Sequence, residues 1–570
     1  MSLRFAPDDL DASKWENIEP YLINLKEREI NSADCIIDLI QDESQLTEII
    51  SETRARTYIN MTSQTDNQEY QKAWGDFVEN IQPKLSEYSD VINRKIINNA
   101  FVDNLPERYA VMLRGIKSDI KIFREENIPL QTRLSILGTK YNEIRGKQTV
   151  YFEGEEKTLP MMAIYQENTD REIRESAWRV TTSRILQDTD KVSDIFEEMI
   201  ELRHQIAINS GFSGFQEYIF AAMHRFDYSI EDCLEFHDSI EYSCMPLKNQ
   251  MNDFRKRKLE LDKFRPWDSS VDVDGKKPLK PFIDVNELVN GCSRIFHSMS
   301  TELGDFFDLL QKNNCLDLES RKGKAPGGYQ YYLQKSRMPF IFMNAAGTQR
   351  NLETMIHEAG HAFHSFYSGH LDLIHERDAP IEFAEVASMS MELLTHPYWE
   401  EFYEKENAIR ARVKHLRGII QFMPWMATID SFQHWIYKNP SHTRSERVVK
   451  WLEIQKRFGS KIEYGGINKE GEDLEKIMEI SWQLQGHLFG APFYYVEYGI
   501  AQLGALQMWN YQKKNSDNAL KLYKNGLSLG YTKGLTDLFK ASGLKMSFSK
   551  EHVNKLIKGV NEQLQEISTN

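Results

Sequence analysis

The segment His357-Glu358-Ala359-Gly360-His361 constrains this 570-residue chain most, because its chemistry requires a helix. Residues four apart lie on one helical face, so His357 and His361 can hold one metal ion together. Glu358 lies about 100° around the helix from His357, where its carboxylate can meet a water beside the ion. Two imidazoles, a carboxylate and a metal-activated water are the parts of zinc-assisted peptide hydrolysis. The alternative is a helix whose two histidines are simply buried in the core.

A zinc ion held by two histidines and a water needs a third protein ligand. The candidates that follow the motif are His364, His370, His375, Glu376, Asp378, Glu382, Glu385 and Glu392. Residues 379–394 have the pattern of a second helix, with Pro380 near its first turn. On that helix Glu385 and Glu392 share a face, which favours Glu385 as a ligand and Glu392 as a group that orients a ligand histidine. Spacing alone leaves Glu382 open, and His364 is predicted to pack rather than bind.

The surroundings of the motif predict where its helix begins and ends. Thr348 is a suitable N-cap and Gly369 a suitable terminator. The buried stripe is predicted to consist of Leu352, Ile356, Ala359, Phe363 and Phe366. Gly360 costs such a helix about 1 kcal/mol relative to alanine, which suggests that another segment packs closely against it. Residues 327–333 and 339–344 are predicted strands, and an edge strand here could pair with an extended peptide, although two purely structural strands would fit the pattern equally well.

Composition excludes several classes of partner. The formal net charge is −15 and basic residues are scattered, which argues against a nucleic acid or an anionic membrane as partner. The five cysteines are widely spaced, so neither a disulfide framework nor a cysteine metal site is indicated. No apolar run approaches the roughly 20 residues that span a bilayer, and residues 1–9 turn acidic without a secretory signal. We therefore predict a cytoplasmic protein.

The organisation of the chain is predicted to be mainly helical. Helical apolar spacing covers 15–29, 33–50 and 70–98, and residues 148–159 read as a short β-hairpin. A capping box at 169–172 is predicted to open a further helix through Trp178. We place a domain boundary here, between an N-terminal helical lobe with a hairpin, residues 1–180, and a catalytic domain, residues 181–570.

A segment far from the motif, residues 486–499, is dense in proton donors. A carbonyl oxygen gains negative charge as it becomes tetrahedral, and hydroxyl groups or an imidazole aimed at it lower the barrier. Tyr495 and Tyr498 are three residues apart and can share a helical face, with His487 preceding them. Judged by residue type alone, however, such an aromatic stripe is more often part of the core.

The residues 357–364 followed by 383–388 resemble the thimet oligopeptidase and oligoendopeptidase F family of zinc peptidases. In that family the third ligand is the glutamate of a Glu-x-x-Ser motif, and Glu385 with Ser388 matches it, which decides against Glu382. Further segments that resemble the family are Arg265-Pro266-Trp267-Asp268, Gly323-Lys324-Ala325-Pro326-Gly327-Gly328-Tyr329 and Asn344-Ala345-Ala346-Gly347-Thr348.

The resemblance also implies roles for the distant segment. A histidine and two tyrosines of the family bind substrate and stabilise the oxyanion, and His487, Tyr495 and Tyr498 match them in type and tyrosine spacing. The gap from His487 to the first tyrosine is one residue shorter than in thimet-type members, so Tyr494 remains a rival of Tyr495. The implied fold is a mainly α, zincin-like peptidase with two lobes around a deep substrate channel and a small β-sheet next to the metal helix.

The function that follows is a zinc-dependent oligopeptidase that cuts internal bonds of short, unfolded peptides. One Zn²⁺ per chain would be held by His357, His361 and Glu385, and Glu358 would act as the general base. Two alternatives stay open at this point. One is a peptidyl-carboxypeptidase that releases di- or tripeptides with the same zinc chemistry. The other is a catalytically silent protein that binds peptides.

Overall fold

The structure is a computed structural model that describes residues 5–321, 323–325, 327–464, 473 and 475–569. Residues 1–4 of the acidic N-terminal segment and Pro326 of the glycine-rich segment lie outside the described residues. The α-helices of the first part of the chain are α1 (Trp15–Glu27), α2 (Ala33–Ser63), α3 (Gln68–Asp76), α4 (Gln82–Ile97), α5 (Ala110–Ile122), α6 (Ile128–Gly146), α7 (Leu159–Met162), α8 (Arg171–Leu186), α9 (Thr189–Asn209), α10 (Phe215–Ala222), α11 (Ile230–Lys258), α12 (Val285–Met299) and α13 (Thr301–Lys312).

The remaining described residues continue the same helical architecture. Their α-helices are α14 (Gln349–Ser368), α15 (Ile374–Arg377), α16 (Ile381–Leu394), α17 (Lys405–Lys438), α18 (Arg444–Phe458), α19 (Lys476–Ile480), α20 (His487–Gly490), α21 (Tyr495–Lys514), α22 (Ser516–Leu527), α23 (Leu535–Ala541) and α24 (Lys550–Thr569). The strands are β1 (Thr149–Phe152), β2 (Glu155–Thr158), β3 (Leu316–Glu319), β4 (Tyr329–Leu333) and β5 (Met338–Ala345). The prediction of a mainly helical chain is confirmed.

Two apolar cores organise the helices into two lobes. The smaller, N-terminal core contains Ile18 and Leu22 of α1, Leu39 and Ile40 of α2 and Ile92 of α4. The larger core extends from α6 to α24 and encloses α14, α16 and α21. Helix α6 already contributes Leu137 and Tyr141 to this larger core. The domain boundary near residue 180 stays a prediction.

The predicted hairpin is present as the antiparallel pair β1–β2, with Thr149 opposite Thr158. Its two-residue loop, Glu153 and Gly154, has φ angles of 51° and 84°. Both angles are left-handed, as in the type I′ turns that match the twist of paired strands, and glycine adopts them at no steric cost. The hairpin packs its buried residues Val150 and Phe152 against α8.

A three-stranded sheet with the order β3-β5-β4 lies beside α14. Strands β4 and β5 are antiparallel, as the two predicted runs suggested, with Tyr329 opposite Phe342. Strand β3 was not predicted, and it pairs parallel to β5 with Leu316 opposite Ile341. Strand β4 is at the edge of this sheet, and β5 leads through Gly347 directly into α14.

The prediction for residues 169–172 needs a correction. Asp170, rather than Thr169, caps α8, because its side chain accepts a hydrogen bond from the backbone N–H of Glu172. The helix does not end at Trp178 but continues to Leu186. Similarly, α2 runs to Ser63, well beyond the predicted end at residue 50, and a π-helical turn at Phe77–Ile81 interrupts the predicted helix 70–98.

Cysteine pairing and membrane crossing can be judged within the described residues, which include every cysteine. All five are free thiols, as their spacing predicted. Among the described helices, we find none with both the length and the apolar character needed to cross a lipid bilayer.

Candidate active site

Helix α14 carries the His-Glu-x-x-His segment, and its first turn is fixed by a reciprocal cap. The Thr348 hydroxyl accepts a hydrogen bond from the Asn351 backbone N–H (3.3 Å), and the Asn351 side chain accepts one from the Thr348 N–H (3.1 Å). Such a pair satisfies N–H groups that a helix start leaves without partners. The helix ends at Ser368, with Gly369 as C-cap, so both predicted ends are confirmed.

Gly360 lies where α14 crosses α16. A Cβ atom on Gly360 would lie 2.5 Å from Ser388 Cα and 2.8 Å from the Ala387 carbonyl oxygen. The expected close packing is therefore present, and it is backbone against backbone. Because Ser388 follows Glu385 by one helical turn, this contact fixes the distance between the two histidines and that carboxylate.

Gly360→Ala is expected to lower stability by about 1–3 kcal/mol, because the added methyl group must push two helices apart. Alanine's better helix propensity, about 1 kcal/mol, does not offset this overlap. The matched control is Gly138→Ala in α6, where a Cβ would meet no atom within 4 Å. Thermal unfolding of both variants is the measurement. Equal melting temperatures for the two variants would contradict the account.

The side chains of His357, His361 and Glu385 converge on one point. Glu385 Oε2 lies 3.3 Å from His357 Nε2 and 3.6 Å from His361 Nε2. One donor atom from each of the three residues lies within 4.8 Å of the other two. Ser388 Oγ donates a hydrogen bond to the same Glu385 oxygen at 3.0 Å, and so orients the carboxylate.

Glu358, the next residue after His357, is 6 % exposed. Burial raises the pKa of its carboxyl group to about 7, and the nearby Glu385 and Glu392 carboxylates add to the effect. A carboxylate whose pKa lies near neutrality can both accept and return a proton, which is what a general base needs.

Glu392 is hydrogen-bonded to the Nδ1 side of the His357 ring, as its position on the second helix predicted. Its Oε1 lies 2.6 Å from His357 Nδ1, and its Oε2 lies 2.8 Å from His415 Nε2. His415 Nδ1 is in turn 2.9 Å from His396 Nε2. With Nδ1 bound to a carboxylate, His357 directs Nε2 towards Glu385 and His361. The chain of two further histidines was not predicted, because His396 and His415 lie on different elements.

Glu392→Gln is expected to weaken binding of zinc by about 10- to 100-fold, because His357, the predicted ligand, loses its charged hydrogen-bond partner. Competition against a chromogenic chelator measures the affinity. The matched control is Glu43→Gln, which removes a carboxylate from His375 at 3.1 Å, far along the chain from the histidine pair. Equal zinc affinities in the two variants would show that Glu392 does not orient the ligand.

Two of the alternative ligands lie elsewhere. Glu382 Oε1 accepts a hydrogen bond from the Tyr228 hydroxyl at 2.6 Å. His364 is 5 % exposed and packs edge-on against Phe383 at 5.9 Å between ring centres. Burial lowers the pKa of His364 to about 3, as expected for a neutral histidine in the core.

The distant segment, residues 486–499, lies beside Glu385 in the folded chain. The Tyr494 hydroxyl donates a hydrogen bond to Glu385 Oε1 at 2.9 Å. Tyr498 OH lies 3.5 Å from His487 Nε2, and both side chains are half-buried. Tyr495, in contrast, is buried, and its hydroxyl donates to Gln485 Oε1 at 3.1 Å. The rings of Tyr494, Tyr495 and Tyr498 all pack around His487, with centres 5.5, 5.1 and 5.9 Å from it, but the Tyr495 hydroxyl is directed to Gln485 and that of Tyr494 to Glu385.

Burial keeps these hydroxyl groups protonated. It raises the pKa of Tyr494 and of Tyr498, and in both cases the Glu385 carboxylate adds to the effect. Burial also lowers the pKa of His487, so this ring is neutral at pH 7. The group therefore offers neutral hydrogen-bond donors to an oxygen that develops negative charge.

Arg225 is a residue of this region that sequence reasoning missed. Its buried guanidinium donates to Glu497 Oε1 (2.6 Å) and to the Phe493 carbonyl oxygen (2.5 Å), and lies 3.8 Å from Glu382. Arg225 thus connects Glu382, which lies one turn before Glu385 on α16, to Phe493, the residue that precedes Tyr494. A lone arginine in a loop gives no signal of such a role in the sequence.

The donor set of His357, His361 and Glu385 fits a zinc ion. Two imidazoles and one carboxylate, with an open position for water, are a common zinc set in hydrolytic sites. Hydrogen bonds to Glu385 and Glu392 outweigh the effect of burial and raise the pKa of His357 above its ordinary value. These carboxylates therefore favour positive charge at this point, which a divalent cation would supply.

Comparison with known proteins agrees with this geometry. The model described as peptidase family M3 matches residues 164–556, and that of the peptidase M3 N-terminal domain matches residues 6–123. An oligoendopeptidase F homolog of Mycoplasma pneumoniae is 24% identical, over 70% of this chain and 67% of its own. Oligopeptidase PepF of Bacillus subtilis is 24% identical, and the match spans 57% of this chain and 47% of that protein.

Solved structures resemble the whole described fold. A structure described as PZ peptidase A with inhibitor 2 has a TM-score of 0.93 at 25% identity, and the match covers 99% of both chains. A putative oligoendopeptidase F has a TM-score of 0.92 at 25% identity, again over 99% of both chains. The two-lobed, mainly α architecture is therefore shared along the full length.

Proposed function

Because the chain belongs to peptidase family M3, we propose that it is a zinc-dependent oligoendopeptidase, which hydrolyses internal bonds of short, unfolded peptides. The observation that carries this proposal is the convergence of His357, His361 and Glu385 beside the buried carboxylate of Glu358. The names of the relatives, oligoendopeptidase F homolog and oligopeptidase PepF, support the same class of substrate.

The mechanism assigns the proton transfer to Glu358. A zinc ion held by His357, His361 and Glu385 would polarise the carbonyl group of the scissile bond and acidify the attacking water. Glu358 accepts the proton of that water and then delivers it to the amine nitrogen of the leaving peptide.

Substrate handling is assigned to His487, Tyr498 and one further tyrosine. Tyr494 is favoured over Tyr495 because its hydroxyl reaches Glu385, whereas that of Tyr495 is bonded to Gln485. In this account a hydroxyl of the group turns to the carbonyl oxygen of the substrate as negative charge develops on it.

Tyr494→Phe is expected to lower kcat by about 10²- to 10³-fold, the effect of removing one hydrogen-bond donor to an oxyanion. Tyr495→Phe is the matched control and is expected to change kcat much less. Steady-state kinetics on one peptide measures both. A larger loss in Tyr495→Phe than in Tyr494→Phe would return the role to Tyr495, the residue that the tyrosine spacing first indicated.

The kind of substrate is tested by presenting one sequence in several forms. The sequence is offered as a free peptide, as the same peptide with acetylated and amidated ends, and within a folded protein. An endopeptidase with a deep channel cuts the first two forms and spares the folded protein. A peptidyl-carboxypeptidase fails on the amidated form because it must bind a free terminal carboxylate. Binding without cleavage in zinc-loaded protein would indicate a silent peptide-binding protein.

The cytoplasmic location stays a prediction.

A further inference from the structure

A second group of metal-binding side chains lies in the larger core, outside the site described above. Cys233 and His237 are four residues apart on α11, and Asp430 and His434 are four apart on α17. The two helices pack against each other, so each one-turn pair faces the other. Cys233, His237 and Asp430 are no more than 1 % exposed, and His434 is 5 % exposed.

The donor atoms of this group are close together. Cys233, Asp430 and His434 each offer one ligand atom within 4.8 Å of the other two. Asp430 Oδ2 lies 3.3 Å from His434 Nε2 and 2.8 Å from His237 Nε2. In a tetrahedral zinc site with bonds of about 2.0–2.3 Å, neighbouring donor atoms are roughly 3.3–3.8 Å apart.

The other ring nitrogens are already oriented by polar side chains. The side-chain amide of Gln216 is hydrogen-bonded to His434 Nδ1 at 2.7 Å. Ser431 Oγ is 3.0 Å from His237 Nδ1. Partners on the far nitrogen are what fix a histidine ring so that its other nitrogen faces a metal.

In the part of the chain that the structure describes, the buried carboxylate of Asp430 faces two histidines and no permanently charged cation. Asp430 is fully buried, and within the described residues neither lysine nor arginine forms an ion pair with it. Asp430 Oδ1 and His434 Nε2 are buried and have no hydrogen-bond partner among those residues. Buried carboxylates are normally paired with a charge or bound to a metal.

We propose that Cys233, Asp430 and His434 bind a second divalent cation, with Zn²⁺ as the best fit, and that His237, whose Nε2 lies 2.8 Å from Asp430 Oδ2, orients this carboxylate. A thiolate and an imidazole are soft and intermediate ligands that favour zinc over Mg²⁺ or Ca²⁺. The Cys233 thiol releases its proton to solvent when the ion binds. Because the three residues are buried, with at most 5 % of any of them exposed, the role of this site is structural.

The site joins α11 to α17 beneath the substrate-handling segment. The His434 ring lies 5.0 Å from that of Phe493, and Gln433 Oε1 accepts a hydrogen bond from the Phe493 backbone N–H at 2.6 Å. Phe493 immediately precedes Tyr494. The ion is therefore expected to stabilise the core and the position of Tyr494, without sharing a ligand with the group of His357.

Cobalt substitution tests the proposal, because the His357, His361 and Glu385 site contains no sulfur. Protein is produced with Co²⁺ in place of zinc, so that the buried site fills during folding. We expect two cobalt ions per chain and a near-ultraviolet thiolate-to-cobalt charge-transfer band. Cys233→Ser is expected to lose that band and one of the two ions. Cys292→Ser, the matched buried control on α12, keeps both, and Glu385→Ala keeps the band.

One further arm keeps the test decisive. A chain in which Cys35, Cys244, Cys292 and Cys315 are all serine still contains Cys233, and its cobalt band is expected to remain. This arm replaces Cys233→Ser if that variant fails to fold. A single cobalt ion per folded wild-type chain with no thiolate band would overturn the proposal, and so would a band that survives Cys233→Ser. Neither result bears on the peptidase activity proposed for the first site.

Discussion

Glu358→Gln is expected to lower kcat by about 10²- to 10⁴-fold while zinc remains bound, because the amide cannot accept the proton of the attacking water. Glutamine has nearly the shape of glutamate and places no charge at this position, which is 6 % exposed, so we expect the fold to be retained. Because Glu358 has no assigned part in holding substrate, KM should change far less than kcat. Zinc content and steady-state kinetics on one internally quenched peptide are measured on the same preparation.

The control for this prediction is Glu353→Gln on the same helix. Glu353 is also buried, but its Oε1 accepts a hydrogen bond from Gln349 and the residue lies more than one turn before the histidine pair. This variant should retain most of the activity. Near wild-type turnover in Glu358→Gln would refute the assignment of the general base, whatever the metal content.

Glu385→Ala is expected to remove both the metal and the activity. It deletes the carboxylate that lies 3.3 and 3.6 Å from the two histidine nitrogens, so the two remaining ligands hold zinc weakly. The affinity should fall by more than the roughly 10- to 100-fold expected from a change at an orienting residue such as Glu392. Zinc affinity by chelator competition and turnover at saturating zinc are the two measurements.

Glu382→Ala is the comparison that gives this prediction its meaning. The spacing of residues alone left Glu382 as an alternative zinc ligand, but its carboxylate accepts a hydrogen bond from the Tyr228 hydroxyl. Its loss should leave zinc affinity close to that of the wild type, although it disturbs the buried network around Arg225. If Glu382→Ala lost zinc and Glu385→Ala kept it, the ligand assignment would have to be exchanged.

The helix of the metal motif could be predicted from sequence because its signals are local. Thr348 caps its own helix three residues away, and the spacing of His357 and His361 sets their common face. The tight contact at Gly360 was also foreseeable, since a glycine inside a helix costs stability unless a neighbour needs the space. Helix α16 could also be predicted from local signals. The family resemblance then distinguished Glu385 from Glu382.

Other features could not be predicted because they depend on distant partners. Strand β3 has four residues, and its pairing becomes visible only when β5 is placed beside it. Tyr494 precedes α21 and follows Phe493, whose φ is 64°, so helical spacing misjudges its direction. Arg225 and Glu497 are 272 residues apart in the chain. Asp430 and Cys233 are similarly remote, and only the packing of α11 on α17 brings them together.

The most direct test of the central claim is to measure zinc content and peptide hydrolysis on one preparation, before chelation, after exhaustive chelation and after zinc is restored. We expect hydrolysis of short peptides at internal bonds to disappear as the metal of His357, His361 and Glu385 is removed, and to return with added zinc. The Glu358→Gln variant should bind zinc before chelation and again after zinc is restored, and should remain inactive at every stage. Undiminished hydrolysis by the metal-free protein would contradict the account.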